Sequence, residues 1–259
     1  MILWHNKPLC SAGFVINLAS RPDRKASAIK ELEQSGISGF EFYNATTLSD
    51  PDWQAYGCTQ SHLDLFKIQI ENNIDYLLIL EDDIHTSYTY STLNKITKID
   101  KQIKYAHNCI DSFHHLKPDL LWLGSRVEQD VDYYDDYISF SNKTLTAHAY
   151  ISSLSLAKFC VENFKYNEHG HLSYRYPIDF FLSQLKIKTD HQIINNINNK
   201  AFVTNNLVTS VSNCLIFNQK PGYSNIIHKD IDYGIWIAGC HEHYCFNPLK
   251  NKINYHEYI

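Results

Sequence analysis

The stretch YLLILEDD, residues 76–83, decides the fold prediction, because a continuous apolar run ends directly in three acids. A short run of this kind is typical of a strand that is packed on both faces. Three adjacent carboxylates repel one another in a partly dry site unless a cation lies among them. Carboxylate oxygens are ligands that Mg²⁺ and Mn²⁺ accept. The stretch therefore predicts a buried strand with a divalent cation at its carboxyl end.

The three acids of this stretch need not act together. Side chains alternate along an extended segment, so Glu81 and Asp83 would face one ion while Asp82 points elsewhere. The alternative is that the acids end the strand and cap the next segment, as Asp often does. The two interpretations are evenly balanced on the triplet alone, and the apolar strand before it favours the metal.

Other short apolar runs alternate with helical patterns along the chain. This alternation predicts an α/β sheet that is covered by helices on both faces. We expect one domain at residues 1–205, with residues 206–259 as a C-terminal appendage packed on it, and the pattern beyond Asn205 predicts no definite elements. The predicted strands lie at residues 14–18, 40–43, 76–80, 120–123, 137–140 and 147–151, and the predicted helices at 25–34, from 63 onward, 95–115, 154–164 and 178–185.

Polar residues follow several of these strands at the edge where α/β proteins bind ligands. Asn17, Arg21 and Arg24 come at or after the first strand, and Gly124 and Ser125 follow the run at 120–123. In α/β sheets, ligands bind beyond the carboxyl ends of the strands. Together with the three acids, these residues predict a binding site at that edge.

Composition excludes several classes of function. The formal net charge is −5 and no Lys/Arg block occurs, so a nucleic-acid partner is not expected. The 9 glycines form neither G-x-G-x-x-G nor a P-loop, so side chains and a metal would have to hold any nucleotide's phosphates. The sequence shows neither a signal peptide nor an apolar run of membrane-spanning length, which predicts a soluble cytoplasmic protein.

The 7 cysteines are scattered and do not follow paired zinc spacings, which favours free thiols in a reducing compartment. Residues 240–245, CHEHYC, place soft and borderline metal ligands close together. Their spacing matches none of the common structural zinc patterns, so a zinc site there is the minor alternative.

Six segments in order resemble glycosyltransferase family 25, which includes bacterial lipooligosaccharide galactosyltransferases and collagen galactosyltransferases. Each segment is weak alone, and the ordered set is more specific. GCTQSHLDLF resembles the family's Gly-Cys-x-x-Ser-His turn before a helix, YLLILEDDI its acidic metal motif and YPIDFFL its Pro-x-Asp segment. The segments are FVINLASRPDR (14–24), GCTQSHLDLF (57–66), YLLILEDDI (76–84), DLLWLG (119–124), TAHAYISSLSLAKF (146–159) and YPIDFFL (176–182).

The resemblance implies a GT-A-type nucleotide-diphospho-sugar transferase fold, with a central, mostly parallel sheet flanked by helices. It implies a UDP-hexose donor, often UDP-galactose, a Mn²⁺ or Mg²⁺ ion, and transfer with inversion in glycan or lipopolysaccharide biosynthesis. The acceptor would be a glycan, a lipid-linked saccharide or a hydroxylated protein. Assembly of the protein into a homo-oligomer is an alternative that the sequence leaves open.

The resemblance also assigns roles to the candidate residues. Glu81 and Asp83 would hold the metal and the diphosphate. Six further residues would bind the donor or lie near its nucleotide: Asn17, Arg21, Arg24, Ser61, His62 and Asp82.

Inverting transfer needs a base that takes the proton of the acceptor hydroxyl. Asp179 is the candidate, because it follows Pro177 at a predicted helix start, where the helix dipole favours an ionised carboxylate. The alternative is that Asp179 only stabilises that helix terminus. Asp119 and Asp190 are poorer candidates.

Structural roles compete with several of the other assignments. Arg21 and Arg24 could contact phosphate, since guanidinium suits that anion, or could be ordinary surface charges at a helix entry. His62 and His148 could be hydrogen-bonding residues of the core. Two further functions stay open, a catalytically silent sugar-nucleotide-fold binding protein and a two-carboxylate glycoside hydrolase.

Overall fold

The computed structural model describes residues 1–47, 54–89, 98–127, 132–141, 144–164, 178–183, 185, 207–220, 222–224 and 229–231. The strands in these residues are β1 (Ile2–Trp4), β2 (Lys7–Cys10), β3 (Ala12–Asn17), β4 (Ile37–Ser38), β5 (Glu41–Asn44), β6 (Tyr76–Glu81), β7 (Ile84–Thr89), β8 (Leu120–Val127), β9 (Asp132–Tyr133), β10 (Ile138–Phe140), β11 (Thr144–Ser153), β12 (Thr209–Ser212), β13 (Leu215–Gln219), β14 (Gly222–Ser224) and β15 (Lys229–Ile231). The helices are α1 (Pro22–Ser35), α2 (Gln54–Glu71), α3 (Ile99–Leu116), α4 (Leu154–Asn163) and α5 (Ile178–Leu182).

The centre of the fold is an eight-stranded mixed sheet in the order β5-β3-β6-β11-β8-β12-β10-β9. The pairs β3–β5, β3–β6 and β8–β12 are parallel, whereas β11 runs antiparallel to both of its neighbours. Since β10 opposes both β12 and β9, six of the eight strands point in one direction. Helices flank this sheet, so the predicted α/β class is confirmed, and the architecture is consistent with a Rossmann-like sugar-nucleotide transferase fold.

Strand β6 shows why the sheet is buried on both faces. Its side chains alternate, so that Leu78 and Leu80 join one apolar cluster with residues of α1 and α3. Leu77 and Ile79 join a second cluster with residues of α2 and α4. All four are fully buried, and a strand packed in this way reads as a continuous apolar run. The acids after Leu80 therefore stand on a rigid stem.

Helix α2 begins earlier than the sequence predicts. The segment 57–62, expected as a turn before the helix, lies inside α2. Its polar residues Thr59, Ser61 and His62 are almost completely buried. Because these buried residues are polar, the sequence lacks the apolar stripe by which a buried helix face is predicted. Gly57 also weakens the helical pattern, because glycine costs about 1 kcal/mol in a helix interior relative to alanine.

Residues 207–220 complete the site's surroundings, although the sequence predicts no element there. Strand β12 joins the central sheet beside β8, and β13 pairs with β7 just after the three acids. The backbone N–H of Lys220 donates to the carbonyl of Asp83 at 2.7 Å. This end of β13 thus fastens the turn that carries the acids. The domain boundary near residue 205 stays a prediction.

In the part of the chain that is described, each helix is too short or too polar to cross a membrane.

Candidate active site

The parallel pairing of β3 with β6 places their carboxyl ends side by side, with Ile16 opposite Glu81. Asn17 ends β3 and donates from Nδ2 to Oδ2 of Asp82 at 2.6 Å. A second contact joins the Asn17 amide to the carbonyl of Arg21 at 3.2 Å. Asn17 thus links the acidic turn to the loop that enters α1, as expected for neighbouring strand ends.

Arg24 reaches the same acids from the first turns of α1. Its Nη1 lies 3.1 Å from Oδ1 of Asp82 and 3.8 Å from Oδ2 of Asp83. Burial raises the pKa of Asp82, and the hydrogen bonds from Asn17 and Arg24 oppose that shift. Arg21 behaves differently, because its guanidinium makes two hydrogen bonds to the exposed Asp23. Of the two predicted arginines, the structure brings Arg24 to the acids.

Of the three acids, Asp83 is the one whose charged form the surroundings disfavour most. Its Oδ2 accepts a hydrogen bond from Nε2 of Gln219 at 2.9 Å. Its Oδ1 is buried and has no hydrogen-bond partner among the described residues. Burial, followed by the charge of Glu81, raises the pKa of Asp83 to about 7. A buried oxygen without a partner beside a second carboxylate fits a cation site.

Glu81 faces α2 instead. Its Oε1 lies 3.3 Å from Nε2 of His62 and 3.6 Å from Sγ of Cys58. The other ring nitrogen of His62, Nδ1, lies 2.7 Å from the hydroxyl of the fully buried Tyr150. Burial acts to raise the pKa of Glu81, but the hydrogen bond and charge of His62 lower it overall. Of the two predicted metal-binding acids, Glu81 thus has a lowered pKa and Asp83 a raised one.

Ser61 is completely buried in α2. Its hydroxyl donates to the carbonyl of Gly57 at 2.8 Å and accepts from the backbone N–H of Thr46 at 2.9 Å. It fixes the chain that follows β5 against α2. A direct contact with the donor stays a prediction.

Asp179 lies in α5, close to α2. The backbone N–H of Ile178 donates to Oγ1 of Thr59 at 3.1 Å. The pKa of Cys58 is raised first by burial, then by the charge of Glu81 and then by that of Asp179. The candidate base thus belongs to the same electrostatic cluster as Glu81.

The poorer candidates have other surroundings. Asp119 accepts hydrogen bonds from the Ser153 hydroxyl and the backbone N–H of Val208, which join β8, α4 and the chain before β12. Asp190 and the CHEHYC segment lie outside the described residues. His148 is 1 % exposed, and its Nε2 lies 3.4 Å from the carbonyl of Phe217.

Four residues that shape this site have no role predicted from the sequence: Cys58, Tyr150, Gln219 and Lys220. For Cys58 a signal exists, since it stands four residues before His62 on one helix face. Gln219 and Lys220 carry no such signal, because their contacts to Asp83 depend on the pairing of β13 with β7.

The comparisons with known proteins bear on this arrangement. The sequence model of the family described as glycosyltransferase family 25 (LPS biosynthesis protein) matches residues 54–182. The chain belongs to glycosyltransferase family 25. The matched range includes Cys58, His62, the three acids and Asp179, while Asn17 and Arg24 lie before it.

A curated protein of Haemophilus influenzae, named "Putative glycosyltransferase", is 28% identical over 125 residues. The alignment covers 40% of this family 25 chain and 42% of that protein, so the chain spans less than half of that relative's length.

Proposed function

We propose that this family 25 protein moves a hexose from a UDP-sugar to a hydroxyl of a glycan, lipid-linked saccharide or protein, with inversion and with a divalent cation. The observation that carries the proposal is the buried Oδ1 of Asp83, which has no hydrogen-bond partner in the described chain and stands beside Glu81. Family membership supplies the reaction class, and galactose or glucose is the hexose we propose.

Glu81 and Asp83 would hold the cation, Mn²⁺ or Mg²⁺. The donor set fits, because carboxylate oxygens at the end of a rigid strand suit hard divalent ions. When bound, the cation would neutralise the negative charge of the leaving diphosphate. Burial and, after it, the charge of Glu81 raise the pKa of Asp83 to about 7, and the cation would offset the second of these causes.

Asp82 supports donor binding through the groups it holds. Its two carboxylate oxygens accept hydrogen bonds, one from Asn17 and one from Arg24. These bonds hold the Arg24 guanidinium at the ends of β3 and β6. The Arg24 side chain is 19% exposed, which leaves it accessible to a ligand. A guanidinium in this place can attract the oxygens of a nucleotide diphosphate. Arg21 would add to this attraction from the helix entry.

Asp179 would act as the base. Its carboxylate would take the proton of the acceptor hydroxyl while the acceptor oxygen bonds to the anomeric carbon. The bond from that carbon to the diphosphate oxygen breaks, and the electron pair leaves with UDP. Support for this role comes from the common electrostatic cluster of Asp179, Cys58 and Glu81.

Isothermal titration calorimetry with UDP-galactose, with and without Mn²⁺, tests the proposal. We expect binding to the unaltered protein only with Mn²⁺, and loss of that binding in Asp83→Ala. Asp111→Ala is the control, since Asp111 is an exposed acid on α3 that pairs with Lys7 of β2. Equal Mn²⁺-dependent binding by Asp83→Ala and the control would refute the cation role.

A protein that binds UDP-galactose and never transfers the sugar would be the silent sugar-nucleotide-fold protein. Cleavage of glycosides without cation or nucleotide would identify the hydrolase.

A further inference from the structure

Three potential metal ligands of mixed type meet between α2 and β6. Cys58 and His62 are four residues apart on α2, so their side chains share one helix face. Glu81 comes from the end of β6. The ligand atoms of the three residues all lie within 4.8 Å of one another.

Two of the separations between these ligand atoms match the edges of a zinc coordination tetrahedron. With Zn–N and Zn–O bonds of about 2.0–2.2 Å and a Zn–S bond of about 2.3 Å, tetrahedral ligand atoms are roughly 3.3–3.7 Å apart. Nε2 of His62 and Oε1 of Glu81 are 3.3 Å apart, and Sγ of Cys58 lies 3.6 Å from the same oxygen. An ion could therefore bind with small side-chain adjustments.

A second group orients the imidazole for such an ion. The Tyr150 hydroxyl lies 2.7 Å from Nδ1 of His62, and the two rings stack at a centroid distance of 5.7 Å. Histidines that bind metals usually engage their other ring nitrogen in this way, which fixes the tautomer and the ring orientation. The remaining nitrogen, Nε2, faces Glu81.

We propose that Cys58, His62 and Glu81 bind a zinc-type divalent ion. Thiolate and imidazole ligands favour Zn²⁺, whereas Mg²⁺ and Mn²⁺ favour oxygen. On binding, the Cys58 thiol gives up its proton to solvent and its sulfur bonds to the metal. This site shares Glu81 with the proposed donor-cation site and does not include Asp83.

Because Glu81 belongs to both sites, Zn²⁺ should compete with the donor cation. This consequence rests on the proposed function, and the zinc site itself does not. In the unaltered protein, added Zn²⁺ should weaken Mn²⁺-dependent binding of UDP-galactose.

Cobalt titration of the chelator-treated full chain tests the site. We expect one Co²⁺ per chain with a near-ultraviolet thiolate-to-cobalt charge-transfer band, displaced by Zn²⁺. Cys58→Ser should lose this band, and the double variant Cys240→Ser with Cys245→Ser should keep it. A band that survives Cys58→Ser, or one that disappears in the double variant, would overturn the assignment.

X-ray absorption at the zinc edge gives a second measurement that needs no variant. One sulfur ligand with nitrogen and oxygen in the remaining positions supports the site. A sulfur-free shell, or two or more sulfur ligands, contradicts it. If the zinc-free protein fails to bind UDP-galactose with Mn²⁺ while the zinc-loaded protein shows the single zinc–sulfur bond, the proposed function is refuted and the zinc site stands.

Discussion

The three consecutive acids have three different environments. Glu81 lies beside His62. Asp82 accepts hydrogen bonds from Asn17 and Arg24. Asp83 has one buried oxygen without a hydrogen-bond partner among the described residues. The environments lower the pKa of Glu81 and raise that of Asp83. Paired carboxyl groups whose pKa values are driven apart in this way mark functional sites.

Asp83 should make the stability of the metal-free protein depend on pH. Its pKa rises from the ordinary 3.8 to about 7, so its stabilising contribution is complete below 3.8 and is lost as the pH rises through about 7. Asp83→Asn avoids that loss. In a chelator, we expect the advantage of the variant over the unaltered protein to grow by roughly 2–3 kcal/mol between pH 5 and pH 8.

Thermal unfolding at several pH values measures this gain. Asp111→Asn controls for the change in net charge, because Asp111 is exposed on α3. A constant difference between Asp83→Asn and the unaltered protein across this pH range would contradict the assignment. Mn²⁺ should reverse the order, stabilising the unaltered protein and leaving Asp83→Asn unchanged.

Asp179→Asn should separate donor binding from transfer. An amide cannot take the acceptor proton, so we expect turnover to fall by about 10²–10⁴-fold with donor affinity kept. Release of UDP in the presence of a panel of saccharide acceptors measures turnover, and calorimetry measures affinity. Normal turnover in this variant would remove Asp179 as the base.

Tyr150→Phe should remove the hydrogen bond that orients the imidazole of His62. Loss of the buried hydroxyl removes a 2.7 Å hydrogen bond, at a cost of about 1–2 kcal/mol of stability. We also expect weaker Mn²⁺-dependent donor binding, because His62 positions Glu81. Tyr105→Phe is the matched control, a buried tyrosine whose hydroxyl contacts Ser212 and Cys214 instead. Equal donor affinity in the two variants would limit Tyr150 to a structural role.

At the level of elements, the sequence predicts the sheet's apolar strands well and the helix entries less well. Strand β6 is found at Tyr76–Glu81, because its alternate faces are both apolar. Helix α2 is missed at its start, since buried polar residues replace the apolar stripe there. The contact of Gln219 with Asp83 could not be predicted, because it arises from a pairing between residues more than a hundred positions apart.

Gly124 should be essential where β8 approaches β13. A Cβ at this position would overlap the carbonyl oxygen of Phe217 and lie 2.5 Å from Nε2 of His148. Since the backbone oxygen cannot rotate away, we expect Gly124→Ala to lower the free energy of unfolding by about 2 kcal/mol or more. Chemical denaturation measures this effect.

Gly13→Ala is the control for Gly124→Ala, because its Cβ would meet the flexible side chain of Ile2 first, at 2.8 Å. We expect it to be the less destabilising of the two. The reverse order would show that the approach of β13 to β8 is looser than described.

At the scale of the whole molecule, charge sets the main constraint on donor binding. The chain has a formal net charge of −5, and a nucleotide diphosphate is also an anion. The site itself carries three acids, with Arg24 as the arginine that pairs with them in the described residues. We therefore propose that a cation offsets the repulsion between the donor and these acids.

The most direct test of the account is the thermal unfolding of the purified protein with UDP-galactose, UDP-glucose, UDP-N-acetylglucosamine and GDP-mannose, each with and without Mn²⁺. A ligand at about a hundred times its Kd stabilises a protein by roughly 2.7 kcal/mol. At this chain length that corresponds to a Tm increase of about 5–10 °C. We expect such an increase for a UDP-hexose with Mn²⁺ and none without it. No increase with any donor, with or without Mn²⁺, would contradict the central claim and leave the acids a structural role.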